Sequence, residues 1–166
     1  MERAEEKREL ETRWAQRQSE APVGLSVLVA EPAEALAYRR VHLRGEFLPG
    51  YYLLLDNRMY RGRYGNEVVG LFRLADTQRL VLVNRGWVAS DPARLTLPDV
   101  PEPAGVSSVT GHLYVSPGAP YLLAEQRLAP PWPVRIQAVD MQALQPLIAT
   151  ISDAELYPWL VRIDPN

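Results

Sequence analysis

The chain has 166 residues, 47% of them apolar and 23% charged, the composition of an ordinary globular protein and the size of one domain that buries roughly 70% of its unfolded surface. It holds no cysteine, which excludes disulfides, thiolate metal sites, iron–sulfur clusters and cysteine nucleophiles and leaves the redox compartment open. Net charge is −2, but residues 38–94 hold ten arginines against five carboxylates while residues 95–166 hold three against seven.

Residues 2–18, ERAEEKRELETRWAQRQ, predict a polar helix with a thin apolar edge at Ala4, Leu10 and Trp14. No capping residue precedes it, so it reads as a helix cut from a longer one. APVGLSVLVA then serves as a connector, and EPAEALAY as a short helical turn with Pro32 at its first position. In YRRVHLRGEF the period becomes two: Val41, Leu43 and Phe47 alternate with Arg40, His42, Arg44 and Glu46, a strand with one wet face. Further strands are expected at 51–56, 66–74, 79–89, 106–115, 120–124, 133–139 and 156–163. Fifteen prolines against ten glycines predict stiff loops, above all LPDVPEPAG at 97–105. Asp140 is placed to cap a helix through MQALQPLIA. The pattern is α+β and β-rich: a curled antiparallel sheet or barrel, an N-terminal helix and short peripheral helices. The domain reading is a helix over 1–20 and a β-rich domain over 21–166.

Residues that carry chemistry are few. His42 and His112 fall at polar strand positions without a second metal ligand at useful spacing, and a solvent-facing role is expected for both. No serine sits in a nucleophile elbow and no glycine loop resembles a phosphate cradle. Asp56 and Glu67 are carboxylates within reach of one another only if the fold brings them together. The tyrosines and arginines of the middle third suggest nucleic acid, but the acidic final third argues against it. No run of roughly 18 apolar residues needed for a membrane helix is present.

Two stretches are odd. VLVNRGWV, residues 81–88, and LLLDNR, residues 53–58, are aliphatic strands that end on Asn-Arg. A packing explanation lets Gly86 host a bulge or a close backbone approach. It has Asn84 tie down backbone groups, and Arg85 pair with a carboxylate or stack on Trp87. A recognition explanation gathers Asp56, Asn57, Arg58, Tyr64, Asn84, Arg85, Gly86 and Trp87 at one end of the sheet, with Arg58 or Arg85 holding a carboxylate bidentately.

Together YRRVHLRGEF, LLDNR, YGNEVV, VNRGWV and LPDVPEPAG, in this order, resemble the surfeit locus protein one family of cytochrome c oxidase assembly factors. The opening RAEEKRELE is similar to the segment after the first membrane helix of bacterial members, and the closing ELYPWLVRIDPN to the segment before the second. The resemblance implies a domain outside the inner membrane of a bacterium, on the periplasmic side, between two membrane helices that this chain lacks. It implies a non-enzymatic role in maturing subunit I of haem–copper oxidases through haem a insertion. The domain would dock on the oxidase subunit, on other assembly factors or on a haem-supplying partner. The family's haem ligand lies in the second membrane helix, so no cofactor or metal is expected in this fragment and no ligation is transferred to His42 or His112. The other expectation kept open is a β-barrel that itself carries haem or another small molecule.

Overall fold

The computed structural model describes residues 20–32, 35–90 (Asn57 by its backbone alone), 100, 105–114 and 128–164, with residues 4, 7–9, 11, 12, 15 and 16 of the N-terminal segment. Those N-terminal residues are all helical. Most of the loop expected at 97–105 and all of the strand expected at 120–124 lie outside the described residues.

Six strands form one sheet: β1 (Arg40–Tyr60), β2 (Arg63–Leu74), β3 (Leu80–Ala89), β4 (Ser107–Tyr114), β5 (Val134–Ile136) and β6 (Leu156–Ile163). Their order is β2-β3-β6-β4-β1-β5, and a further β1–β2 pairing closes five of them into a ring. The sheet is strand-rich and curled, as its alternation predicts. It is mixed, however, because β3–β6 and β1–β5 are parallel while the other pairs are antiparallel.

The ring depends on β1, which joins the two strands expected at 38–47 and 51–56. Phe47 pairs with Phe72 but Tyr52 with Gly70, so β1 spends five residues where β2 spends two. The extra length falls on Leu48, Pro49, Gly50 and Tyr51, with Gly50 at φ 80. An odd excess reverses which face each side chain takes. Before the kink Val41 and Leu43 join an inner core, and beyond it Leu53 and Leu55 join an outer one. One strand thereby pairs with β4 over Arg40–Gly45, with β2 on both sides of the kink, and with β5 beyond it.

Every ring strand supplies the inner core, including Phe72, Val81, Val83, Leu113 and Val161. The connector expected at 21–30 contains a helical turn, α1 (Leu25–Leu28), whose Leu25 and Leu28 close that core. Outside the ring, α2 (Met141–Ala149) starts where the sequence places it: the Asp140 carboxylate accepts the Ala143 N–H. Its buried Leu144, Leu147 and Ile148 pack on Val69, Leu71, Leu80 and Leu82. Burying each such side chain is worth about 1.5–3 kcal/mol, which offsets the cost of Pro146 inside so short a helix.

Candidate functional site

Both Asn-Arg strand ends are β-bulges, and they flank the same stretch of β2. On β3, Asn84 pairs with Val69 and Trp87 with Glu67, so β3 carries one residue more than β2. On β1, Leu55 pairs with Glu67 and Arg58 with Gly65, again one residue more. Gly86 takes φ 110, and a Cβ there would meet nothing within 4 Å. Of the two packing roles, the bulge is thus the one found: the glycine serves a backbone angle that side chains disfavour. Asn84 Oδ1 accepts the Gly86 N–H at 2.9 Å, which secures the backbone group freed by the bulge.

The bulge sets Trp87 across β2. Its indole lies on Gly65, where a Cβ would come within 2.2 Å of the ring. The indole N–H donates to the Arg58 carbonyl at 2.9 Å, and the Tyr60 ring lies 5.3 Å away, tilted by 43°. Trp87 thereby ties β3 to the end of β1. The Arg85 guanidinium lies 4.9 Å over Phe47.

Side chains next to the bulges divide between the faces of β2. On one, fully buried Asn66 donates to Asp56, and Asn66 Oδ1 accepts the Ser90 hydroxyl at 2.9 Å. Arg135 approaches the same Asp56 carboxylate at 3.5 Å. On the other, buried Asn84 donates to Glu67. Asp56 and Glu67 are therefore not a carboxylate pair: neighbouring β2 positions hold them on opposite faces.

Beside Glu67 and Asn84 opens a cleft of about 290 Å³ whose polar lining is completed by Arg58 and Arg162. Tyr114, Met141 and Trp159 supply part of its apolar wall. Glu67, Asn84 and Arg162 also line an adjoining hollow of about 440 Å³, reached by Arg85, Gly86 and Trp87. Arg162 stacks on Tyr114 at 4.0 Å, and its buried Nε has no hydrogen-bond partner. Among the described residues neither Arg58 nor Arg162 forms an ion pair. Two cationic side chains against one carboxylate give the cleft an excess of positive charge, with guanidinium groups whose geometry suits carboxylates.

Of the expected site residues, Arg58 and Asn84 share the cleft, Gly86, Trp87 and Arg85 reach the hollow beside it, and Asp56 is held on the other face. Tyr64 is 59% exposed on the β1–β2 hairpin. Asn57 is described by its backbone alone, where it forms part of the bulge. Glu67, Arg162 and Tyr114 complete the cleft without having been singled out as its parts. The alternation of LYPWLVRI could have marked Arg162 as sharing a face with Leu160, but only strand pairing brings it to Asn84.

Beyond Arg162 the polar row continues to Asp164, which pairs with Arg40 at 3.1 Å and with His112 Nδ1 at 3.3 Å. His112 is only 8% exposed, so the solvent-facing role expected of both histidines holds for His42 alone. Burial pushes the His112 pKa below its ordinary 6.5; Asp164 opposes the shift while Arg162 and Arg40 add to it. No cluster of three metal-ligating side chains occurs among the described residues, and no described helix is long and apolar enough to cross a membrane.

The SURF1 family model matches residues 1–165. A SURF1-like protein of Dictyostelium discoideum is 42% identical over 55 residues, a stretch that covers 33% of this chain and 20% of that protein's length. The matched part of the relative is thus a fifth of it. With the family model spanning nearly every residue, the chain belongs to the SURF1 family, an oxidase assembly family.

Proposed function

We propose that this chain is the extramembrane domain of a membrane-anchored, non-enzymatic factor that assists maturation of a haem–copper cytochrome c oxidase. In this reading it sits on the periplasmic side of a bacterial inner membrane. It docks by the cleft of Arg58, Glu67, Asn84 and Arg162 on oxidase subunit I, on another assembly factor or on a haem-supplying partner while haem a is inserted. The family match over residues 1–165 carries the proposal. The course of the chain supports it: Glu20 pairs with Arg39, and Asp164 with Arg40. Glu20 and Asp164 are thereby held by consecutive residues, Arg39 and Arg40, next to the start of β1.

Haem itself does not fit the cleft as a ligated group. Axial ligation draws on His, Met, Cys or Tyr; no histidine lines the cleft, and Met141 in its wall has no second ligand of these types opposite it other than Tyr114. His112 is turned to Asp164, His42 lines a different hollow, and Tyr114 lies beneath Arg162. What Arg58 and Arg162 fit is a carboxylate, whether a propionate or an acidic side chain of a partner. The alternative, a barrel carrying its ligand within, is disfavoured by packing, because the ring interior is filled by its own aliphatic side chains.

The test is oxidase maturation in cells that depend on the full-length protein. Arg58→Ala removes an exposed guanidinium and is expected to lower the haem a content of the purified oxidase while the factor accumulates normally. Full haem a content with this variant, and with Arg162→Gln, would overturn docking by this cleft. A haem titration of the present chain separates the alternative: a saturable one-to-one Soret shift, abolished by His42→Ala or His112→Ala, would establish haem ligation by the domain.

A further inference from the structure

The β1–β2 hairpin ends in RMYRGRY, residues 58–64. Its turn residues, Arg61 and Gly62, have φ 51 and φ 77, the pair of positive angles of a type I′ hairpin. The strands stay paired up to Tyr60 and Arg63, so this is an ordered tip. Met59, Tyr60 and Tyr64 are 58%, 49% and 59% exposed there. Between Asp56 and Glu67 the sequence has three arginines and no carboxylate. Among the described residues Arg58, Arg61 and Arg63 form no ion pair, and the Arg61 guanidinium lies 5.2 Å over the Tyr60 ring.

Exposed rings and a thioether alternating with guanidinium groups that form no ion pair among the described residues suit one environment especially well. At a membrane–water interface tyrosine rings lie at headgroup level, and arginines reach phosphate oxygens bidentately. A protruding tip enters a fluid headgroup layer without a preformed socket, whereas an acidic protein partner would have to supply one.

Its place relative to β6 agrees. β3 and β6 are parallel, so the end of β6 points the same way as Ala89, which pairs with Gly65 beside the tip. Trp87, packed on Tyr60, shares its hollow with Ile163 and Asp164. The tip and the end of β6 thus lie toward one end of the sheet, whereas Glu20, paired with Arg39, stands at the start of β1, the strand whose far end is the tip.

We propose that the β1–β2 tip is an interfacial anchor for an anionic lipid surface. Met59, Tyr60 and Tyr64 enter the headgroup layer, and Arg61 and Arg63 bind lipid phosphates. The orientation rests on the membrane-anchored reading given above, but lipid binding is a property of this chain that can be measured alone.

The experiment is flotation of the 166-residue chain with vesicles of phosphatidylcholine, alone or mixed with phosphatidylglycerol. The chain is expected to float with the anionic vesicles, less so as salt is raised, and to stay behind with the neutral ones. Arg61→Asn with Arg63→Gln should lower partitioning roughly thirtyfold, the worth of two basic residues near an anionic surface. Asparagine before Gly62 suits a type I′ turn, so the melting temperature should hold. Met59→Ser with Tyr64→Ser should weaken binding to the same vesicles at every salt concentration.

Equal flotation on both vesicle types, or a double arginine variant that floats like its parent, would overturn the proposal. So would a variant that keeps vesicle binding but loses oxidase maturation, which would assign the tip to an acidic protein. Arg58 is left unchanged in these variants, so a failure of the cleft reading and a failure of lipid binding fall in different assays.

Discussion

The two faces of β2 beside the bulges differ in how completely their polar groups are satisfied. Around Asp56 the network is closed: Asn66, Ser90 and Arg135 meet within the protein, and Asn66 is wholly buried. Around Glu67 it is open, with Arg58 exposed and the buried Nε of Arg162 lacking a partner. Neither network belongs to one strand end: Arg58 of the first Asn-Arg pair and Asn84 of the second both line the open side. A closed network holds the fold, whereas an open one keeps binding capacity for something else.

The sharpest way to break this comparison is to remove the central amide of each side. Asn66→Ala removes a wholly buried amide that holds both Asp56 and Ser90, and about 2–3 kcal/mol of stability should be lost. Asn84→Ala should cost less, about 1–2 kcal/mol, because Asn84 lines the open cleft, where water can take the place of its amide. Urea denaturation of both variants checks the order. A larger loss at Asn84 would mean that the cleft side carries the fold.

The glycines sharpen the same point. Gly65→Ala drives a methyl group into Trp87 and the Val88 carbonyl, which a Cβ would approach to 2.2 and 2.3 Å, and thermal unfolding should register at least about 2 kcal/mol. Gly86→Ala meets open space and suffers only from its φ of 110, a cost of about 1–3 kcal/mol. Truncating Trp87 to leucine should recover part of the first loss and none of the second. Arg58→Ala, at the exposed edge, should change stability by no more than about 0.5 kcal/mol; its effect belongs to oxidase maturation.

His112 supplies the smallest effect and a sign. Its folded pKa lies below the ordinary 6.5 because the ring is buried. As the solution is acidified past 6.5 the unfolded chain takes up the proton first, so stability falls until the lower folded value is passed and then levels. His112→Gln should flatten the slope in that window. Urea midpoints taken on either side of 6.5 measure it.

How much of this was legible before the fold is clearest at particular residues. The Asp140 cap and the helix after it stand in the sequence as capping residue and apolar spacing, and they are found there. The strand expected at 133–139 shrinks to Val134–Ile136. Asn66 gave no sign of its burial, since an amide within a strand reads alike whether water or a carboxylate meets it. Arg85 reads in the sequence as a partner for a carboxylate or for Trp87, and its guanidinium lies over Phe47, a contact that only the sheet register brings about.

Local properties were therefore settled by the sequence itself: period-two strands, the capped helix, a glycine at a bulge, the arginine-rich middle and the family blocks. Tertiary structure decided which residues meet. β1 bends to close the ring, β6 enters parallel to β3, and only that pairing sets Arg162 beside Asn84. The physical reason is range: propensity, capping and alternation act over a few residues along the chain. A cleft is made by side chains far apart in sequence, whose faces are fixed by register and reversed by a single inserted residue.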